Sequence, residues 1–463
     1  MQPGDLYAAL PGARTHGAAY AAAAASAGAV AALTDPAGAP RCREAGLPAY
    51  VVPEPRAVLG LLAAWVYGEP ARSLLTVGVT GTNGKTTTAH LLESGLRAAG
   101  RLPGLVGTIE ARVAGQRLPS ERTTPEAPDL QALLAVMVER GADSVAMEVS
   151  SHALALGRVD GLTFDVAVFT NLTEDHLDFH RDMADYFAAK ASLFTQQRSR
   201  HGVVDVDDPY GRRLAAQAGV PVTTVSPSGE PADWRVENAQ LSATGSRFTL
   251  AGPGGQVVRG ATTMAGMVNL VDAALAVVAL AVAGLDAQQA ADGVAACSGV
   301  PGRMERVGAG RPDAPVALVD FAHSPDAVER LLAAARELVE PGGRLVLVIG
   351  AGGDRDPFKR PAMGRIAARD ADVVVLTSDN PRSEDPLAIL DALASGAAEV
   401  PGAEVEVVAD RRAAIEHAVR LAGPRDVLVV AGKGHETGQE VAGVVHPFDD
   451  RLVLAESLWT AAR

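Results

Sequence analysis

Apolar and polar positions follow several rhythms along this chain. Over residues 1–70, alanine-rich helical runs alternate with short apolar strands at 29–33 and 49–52. From Leu74 an apolar strand breaks into a glycine turn and then a helix. Strands return at 144–149 and 166–169, the order of a parallel α/β unit. Between Gly202 and Gly260 the rhythm shortens to alternating segments such as 246–250, bounded by glycine and proline, which predicts a β-rich extension closed by a helix near 269–284. After a boundary at 300–303, apolar strands at 316–319, 345–349, 373–376, 405–408 and 427–430 alternate with helical stretches. That pattern predicts a Rossmann-like open sheet. The expected fold class is α/β with three domains: an N-terminal domain over 1–70, a central P-loop-type parallel sheet with a β-rich extension over 71–301, and a C-terminal Rossmann-like open sheet over 302–463.

Length supports that division, since 463 residues exceed one ordinary hydrophobic core. With 48% hydrophobic and 21% charged residues the chain has ample material for buried sheets. A net charge of -14 argues against a broad grip on nucleic acid, so any phosphate must be held locally. The start MQPGDLYAAL lacks a basic segment followed by an apolar one, and the apolar stretches 18–33 and 273–285 read as packed helices rather than membrane spans. A soluble cytoplasmic protein without membrane insertion is expected. Cys42 and Cys297 lack metal-type spacing and read as buried small hydrophobes in a reducing compartment. A monomer is the default expectation.

The sharpest local chemistry is Thr80-Gly81-Thr82-Asn83-Gly84-Lys85-Thr86-Thr87, placed where a strand turns into a helix. Glycines let backbone amides converge on phosphate oxygens, and the helix N-terminus adds positive potential. Lys85 neutralises phosphate charge, and the Thr86 hydroxyl suits magnesium. Alone, this loop does not separate a ligase from a kinase or a GTPase. Downstream, strands end at Glu148-Val149-Ser150-Ser151-His152 and at Asn171-Leu172-Thr173-Glu174-Asp175-His176-Leu177-Asp178. Strand C-terminal ends are where an open α/β sheet holds its ligands, so Glu148 and His176 are candidate metal ligands. Lys190, in Tyr186-Phe187-Ala188-Ala189-Lys190, would by itself read as a solvated helix residue.

Taken in this order, the Gly-Thr-Asn-Gly-Lys-Thr-Thr loop, Glu148, His176 and Lys190 resemble the Mur ligase family. The resemblance implies ATP as cosubstrate and two magnesium ions held by Thr86, Glu148, His176 and Lys190. It also implies that Lys190 is carbamoylated by CO2. Nucleotide contacts are implied for Gly81, Thr82, Asn83, Gly84, Lys85, Thr86, Thr87, Asn269, Arg303 and Asp320, with Asp272 standing where relatives usually carry asparagine. UDP-sugar contacts are implied for Ala13, Arg14, Thr15, Thr123, Thr124, Ser150 and Arg158, whereas Leu156 replaces a glutamine found in some relatives. The family's uridine-contacting Asp-Ser-Arg motif does not precede Gln2, which raises the expectation of a start further upstream.

The motif Asp379-Asn380-Pro381-Arg382 would otherwise read as a turn. By resemblance it is the form found in diaminopimelate-adding members, and a planar guanidinium suits the second carboxylate of that diamino acid. Arg355, Gly432 and Glu436 align with its remaining contacts. The resemblance therefore implies an ATP-dependent ligase joining 2,6-diaminopimelate to UDP-N-acetylmuramoyl-L-alanyl-D-glutamate through an acyl phosphate, with the meso isomer favoured over LL. Competing readings are a lysine- or ornithine-adding relative, a folylpolyglutamate ligase, and a catalytically silent nucleotide-binding regulator of cell-wall synthesis.

Overall fold

The computed structural model describes residues 1–12, 15–118, 122–242, 244–308 and 314–460. Its first sheet has three parallel strands, Leu6–Ala9, Ala31–Thr34 and Ala49–Val51, in that order. Small side chains such as Ala9, Ala21, Ala32 and Cys42 pack against one another here, so the core is thin. The stretch 18–33 is only partly helical: after the helix Ala21–Ser26 it turns at Gly28 and enters the strand Ala31–Thr34, which corrects the expectation of a packed helix.

The second sheet has eleven strands. The loop-bearing strand Leu75–Thr80 lies between Ser144–Glu148 and Phe164–Phe169, parallel to both. Strands Ser199–Asp205 and Val222–Ser226 continue the parallel run, and Trp234–Ser242, Gly245–Ala251 and Val257–Thr262 finish it as an antiparallel meander. The β-rich extension is thus part of one continuous sheet. On the opposite edge, Ala111–Val113 and Gln116–Leu118 form a short antiparallel addition that the sequence pattern did not announce. The helix Met267–Val282 is apolar nearly all round and packs with Lys85–Ala98 in one core, while Ala127–Glu139 and Met183–Ala191 contribute to another.

The third sheet has six strands in the order Glu305–Val307, Val316–Asp320, Val427–Ala431, Leu345–Ile349, Val373–Leu376, Glu404–Val407, with only the first pairing antiparallel. Its central strands are continuous apolar runs buried on both faces, the pattern of a parallel sheet covered by helices. A hairpin, Gly438–Val441 with Val444–Pro447, follows, turning through positive φ at Ala442 and Gly443. Among the described residues no helix is long and apolar enough to cross a membrane. Cys42 is buried, as expected, but Cys297 is only partly so.

Candidate active site

The phosphate loop is built by backbone freedom at two positions. Gly81 has φ 153° and Gly84 has φ 87°, values that disfavour a side chain. A Cβ on Gly84 would also sit 2.3 Å from the Asp272 carboxylate. The helix Lys85–Ala98 starts directly after it, with its free amides facing the loop. Lys85 curls back to donate from Nζ to the carbonyls of Gly81 and Thr82, both at 2.8 Å. Burial pushes its pKa down, and the carboxylates of Glu148 and Asp175 oppose that shift.

Glu148 ends its strand fully buried and is held by hydroxyls and an amide. Thr86 donates to Oε2 at 3.0 Å, Thr108 donates to the same oxygen at 3.0 Å, and the Thr108 amide donates to Oε1 at 2.7 Å. Thr108 also meets Thr123 at 3.0 Å. The Thr124 hydroxyl donates to the Glu148 carbonyl at 2.8 Å and accepts from the Ser150 amide at 3.1 Å, while the Ser150 side chain caps the next helix. Arg158 donates to the Thr124 carbonyl at 3.3 Å and pairs with Glu126 at 2.9 Å. Thus Thr123, Thr124, Ser150 and Arg158 form one continuous polar wall beside the loop.

Lys190 lies inside the helix Met183–Ala191, 1% exposed, and donates from Nζ to the Gly81 carbonyl at 2.7 Å. Tyr186 lies beneath it, 4.7 Å from ring centroid to Nζ, and bonds Thr82 at 3.1 Å. Burial drives the Lys190 pKa well below its ordinary value, and the Lys85 cation adds to the effect. His176 adopts a left-handed φ of 56° and stacks edge-on to His152 with centroids 4.9 Å apart. Burial, reinforced by Lys85, lowers it to about 4 against the pull of Asp175. Glu148 and Lys190 are therefore both tied to the loop, to Thr86 and Gly81, and His176 reaches it through Tyr186 and Thr82. No group of three or more His, Cys, Asp or Glu among the described residues is gathered closely enough to hold a metal. The buried oxygens of Thr86 and Glu148 nonetheless suit a hard cation.

Arg303 crosses from the C-terminal unit to donate to the Thr86 hydroxyl at 3.1 Å, with its guanidinium 4.6 Å from the Phe321 ring. Asp320 accepts from the amides of Met304 and Ala322 at 2.7 and 2.8 Å, which fixes the turn carrying Arg303. Burial raises its pKa. Asn269 bonds the Ala265 carbonyl at 2.7 Å, and burial pushes Asp272 up to about 8. A contact that the sequence did not reveal joins Asp326 to the loop: its Oδ2 accepts from Asn83 and from Thr173, each at 2.8 Å.

A cleft between the central and C-terminal units is lined by Asn380, Arg382, Glu436 and Glu440 on one side and by Ile109 and Arg117 on the other. Arg382 donates to the Gly353 carbonyl at 2.7 Å; Asn380 donates to Glu436 at 2.7 Å and accepts from Lys433 at 2.9 Å. The Asp379 Oδ2 is buried with no partner and approaches Gly432, where a Cβ would stand 2.5 Å away. Pro381 shapes the turn by packing against Gly353. Arg355 is exposed and does not line this cleft. Thr15 is exposed in the N-terminal unit, and Ala13 and Arg14 lie outside the described residues. Sequence reasoning missed Arg117, Arg451, Lys433 and Glu440; none sits in a contiguous motif with a glycine or proline signal of its own, save Lys433 within the Gly432–Glu436 segment.

Family models match the chain along most of its length: "Mur ligase family, catalytic domain" over 1–67, "Mur ligase middle domain" over 79–281 and "Mur ligase, glutamate ligase domain" over 302–434. A UDP-N-acetylmuramoyl-L-alanyl-D-glutamate--2,6-diaminopimelate ligase of Streptomyces coelicolor is 59% identical over 99% of this chain and 90% of its own. A UDP-N-acetylmuramyl-tripeptide synthetase of Leifsonia xyli is 47% identical over 99% and 90%. Among solved structures, a UDP-N-acetylmuramoyl-L-alanyl-D-glutamate--2,6-diaminopimelate ligase superposes with a TM-score of 0.69 at 31% identity, covering 100% of this chain and 93% of its own. A Mycobacterium tuberculosis folylpolyglutamate synthase shares the fold with a TM-score of 0.64 at 22% identity, over 81% of this chain and 92–96% of its own in two structures where the second gives 0.66.

Proposed function

The chain belongs to the Mur ligase family, and from that premise we propose that it joins 2,6-diaminopimelate to the D-glutamate of UDP-N-acetylmuramoyl-L-alanyl-D-glutamate at the expense of ATP, in the synthesis of peptidoglycan precursor. We place its domain limits at 70/71 and 301/302, which gives the three-, eleven- and six-stranded sheets one domain each. The observation that carries the substrate assignment is the convergence of Asn380, Arg382 and Glu436 on one cleft opposite the central unit. A guanidinium and a carboxylate side by side match the carboxylate and ammonium of a diamino acid that ends in both. The unpartnered Asp379 Oδ2 adds a further acceptor for an ammonium.

In this reading the amides of Gly81–Lys85 and the Lys85 ammonium bind the nucleotide phosphates, and Arg303 brings a second cation to the same loop. Thr86, Glu148, His176 and Lys190 would hold magnesium, which would supply neutralising charge during phosphoryl transfer. The acceptor carboxylate is a poor electrophile; phosphorylated by ATP, it gains a leaving group, and the incoming amine displaces phosphate. Lys190 supports the carbamate expected of it: its amine is buried, held against charge by Lys85, and has no carboxylate within ion-pair distance among the described residues. A neutral amine is the form that attacks CO2, losing a proton to become an N-linked carboxylate. The Thr123, Thr124, Ser150 and Arg158 wall holds the sugar nucleotide's peptide end beside the loop.

The test is ligation with UDP-N-acetylmuramoyl-L-alanyl-D-glutamate and ATP, comparing meso-diaminopimelate, the LL isomer, L-lysine and L-ornithine by product mass. Product with diaminopimelate alone is expected. Product with lysine or ornithine in preference overturns the assignment of the amino acid, and phosphate release without acceptor overturns ligation.

A further inference from the structure

Of the 41 lysine and arginine residues only four are lysine: Lys85, Lys190, Lys359 and Lys433. Where a positive charge alone is needed this chain uses arginine, so a lysine marks a place that calls for a compact ammonium rather than a planar fork. Three of the four have their bonds. Lys85 and Lys190 donate to loop carbonyls, and the buried Lys433 donates to Asn380, Glu436 and the Gly438 carbonyl at 2.9, 2.9 and 2.7 Å. Lys359 opens the helix Lys359–Asp370 and is half-buried, yet among the described residues it has neither a hydrogen bond nor a carboxylate within ion-pair distance. Burial lowers its pKa and Arg355 adds to the shift, while Asp175, Asp356 and Asp379 oppose it. Asp175 stands beside His176 in the central unit and Asp379 in the C-terminal turn, so Lys359 lies at the junction of the two units. The three carboxylates are engaged elsewhere, with the amides of His176, Phe358 and Asn380 at 2.8, 2.9 and 2.7 Å. They favour the charged ammonium without closing on it.

We propose that Lys359 is a specificity-determining residue that receives the α-carboxylate of the acceptor's D-glutamate. This inference rests on the acceptor named above and deepens it. That acceptor brings two carboxylates to the junction, and only the side-chain one is activated. The nucleotide phosphates have the loop amides, Lys85 and Arg303. Arg158, the one cation of the wall that holds the acceptor's peptide end, is paired with Glu126 at 2.9 Å. Arg330 and Arg360 pair with Asp326 and Glu384 at 3.0 and 2.8 Å, and Arg382 serves the diamino acid. Of these cations Lys359 alone lacks a partner among the described residues, and an arriving carboxylate supplies one. Held at Lys359, the α-carboxylate is kept from the phosphate loop, so that the side-chain carboxylate alone is presented for phosphorylation. The same contact makes the choice between the two carboxylates a property of binding rather than of their reactivity, which is nearly equal.

The experiment compares the D-glutamyl acceptor with its 4-aminobutyryl analogue, UDP-N-acetylmuramoyl-L-alanyl-4-aminobutyrate, which keeps the reacting carboxylate and lacks the α-carboxylate. In the wild-type enzyme kcat/KM is expected to favour the D-glutamyl acceptor. In Lys359→Met that preference is expected to fall by about tenfold or more, the value of a charge-assisted hydrogen bond, with the loss carried by KM for the D-glutamyl acceptor and KM for ATP unchanged. Lys359→Arg, which keeps the charge, is expected to recover part of the preference. Equal slowing with both acceptors in Lys359→Met overturns the inference, because a lysine that serves the phosphates or merely supports the fold affects both alike. Should that variant not fold, the wild type still decides: equal kcat/KM for the two acceptors means that no cation receives the α-carboxylate. A wild-type enzyme that ligates neither acceptor overturns the parent reading and this inference with it; normal ligation with an unchanged preference in Lys359→Met overturns this inference alone.

Discussion

Lys190 and Lys85 donate to the same carbonyl oxygen, that of Gly81, at 2.7 and 2.8 Å. Two ammonium groups sharing one acceptor in a buried site cannot both carry full charge cheaply. Lys190, the more strongly depressed of the two, is the one disposed to be neutral, and conversion to a carbamate would turn a repulsive neighbour of Lys85 into an attractive one. Lys190→Ala is expected to lower turnover by about a hundredfold or more, as removal of a preorganised charge at a phosphoryl-transfer site does. Added acetate or formate is expected to restore part of it. Phosphate release measured with and without the added carboxylate checks this; full activity without rescue would sink the carbamate role.

Asp326 ties the C-terminal unit to the phosphate loop. Its Oδ2 accepts from Asn83, Thr173 and Arg330, at 2.8, 2.8 and 3.0 Å. One carboxylate oxygen thus gathers donors from both units, so Asp326→Ala is expected to loosen their docking. The check is small-angle scattering, with a larger radius of gyration for the variant, together with a KM for ATP raised several-fold, about the value of one or two such bonds. Identical scattering curves would mean that Arg303 and the remaining contacts suffice.

Arg411 and Asp450 form an ion pair with both side chains 0% exposed. Arg411 bonds both carboxylate oxygens at 2.8 and 2.7 Å and also holds the carbonyls of Ser378 and Ala431, the residues just before Asp379 and Gly432. Breaking the pair leaves a buried charge unmatched, so Asp450→Ala is expected to cost roughly 3–5 kcal/mol of stability. Replacing both with apolar residues of similar size is expected to cost much less. Denaturant midpoints of the single and double variants separate the two cases, and equal losses would show that the carbonyl contacts, not the pairing, dominate.

What could be read beforehand divides along sequence distance. The phosphate loop was legible because its glycines, lysine and threonine are contiguous and the strand before it is an unbroken apolar run. The strands at 345–349 and 373–376 were legible for the same reason. The edge strands Ala111–Val113 and Gln116–Leu118 are only three residues each, too short for a period to register. Asp326 meeting Asn83 spans 243 positions, and nothing local to either residue announces it. Glu440 is similar: an acidic residue in an alternating hairpin reads as solvated until the turn at Arg382 is seen docked against it. Arg355 carries its implied contact from the motif alignment alone: its side chain is exposed outside the cleft lining.

Asp205, at the end of its strand, is 7% exposed and accepts from the Asp207 amide at 2.9 Å. Burial pushes its pKa up to about 7 from an ordinary 3.8, and the nearby carboxylates of Asp207 and Asp208 add to the rise. A raised carboxyl pKa means that the folded chain binds the proton more tightly than the unfolded chain. Its contribution is therefore fully present below about pH 4 and is lost as pH rises towards and through about 7. Each factor of ten in proton affinity is worth about 1.4 kcal/mol, so the loss reaches up to a few kcal/mol. Asp205→Asn keeps an acceptor for the Asp207 amide and removes the titration. Denaturant unfolding at pH 5 and pH 8 is expected to show the variant gaining on the wild type as pH rises; a constant difference between the two would mean that Asp205 does not titrate in this window.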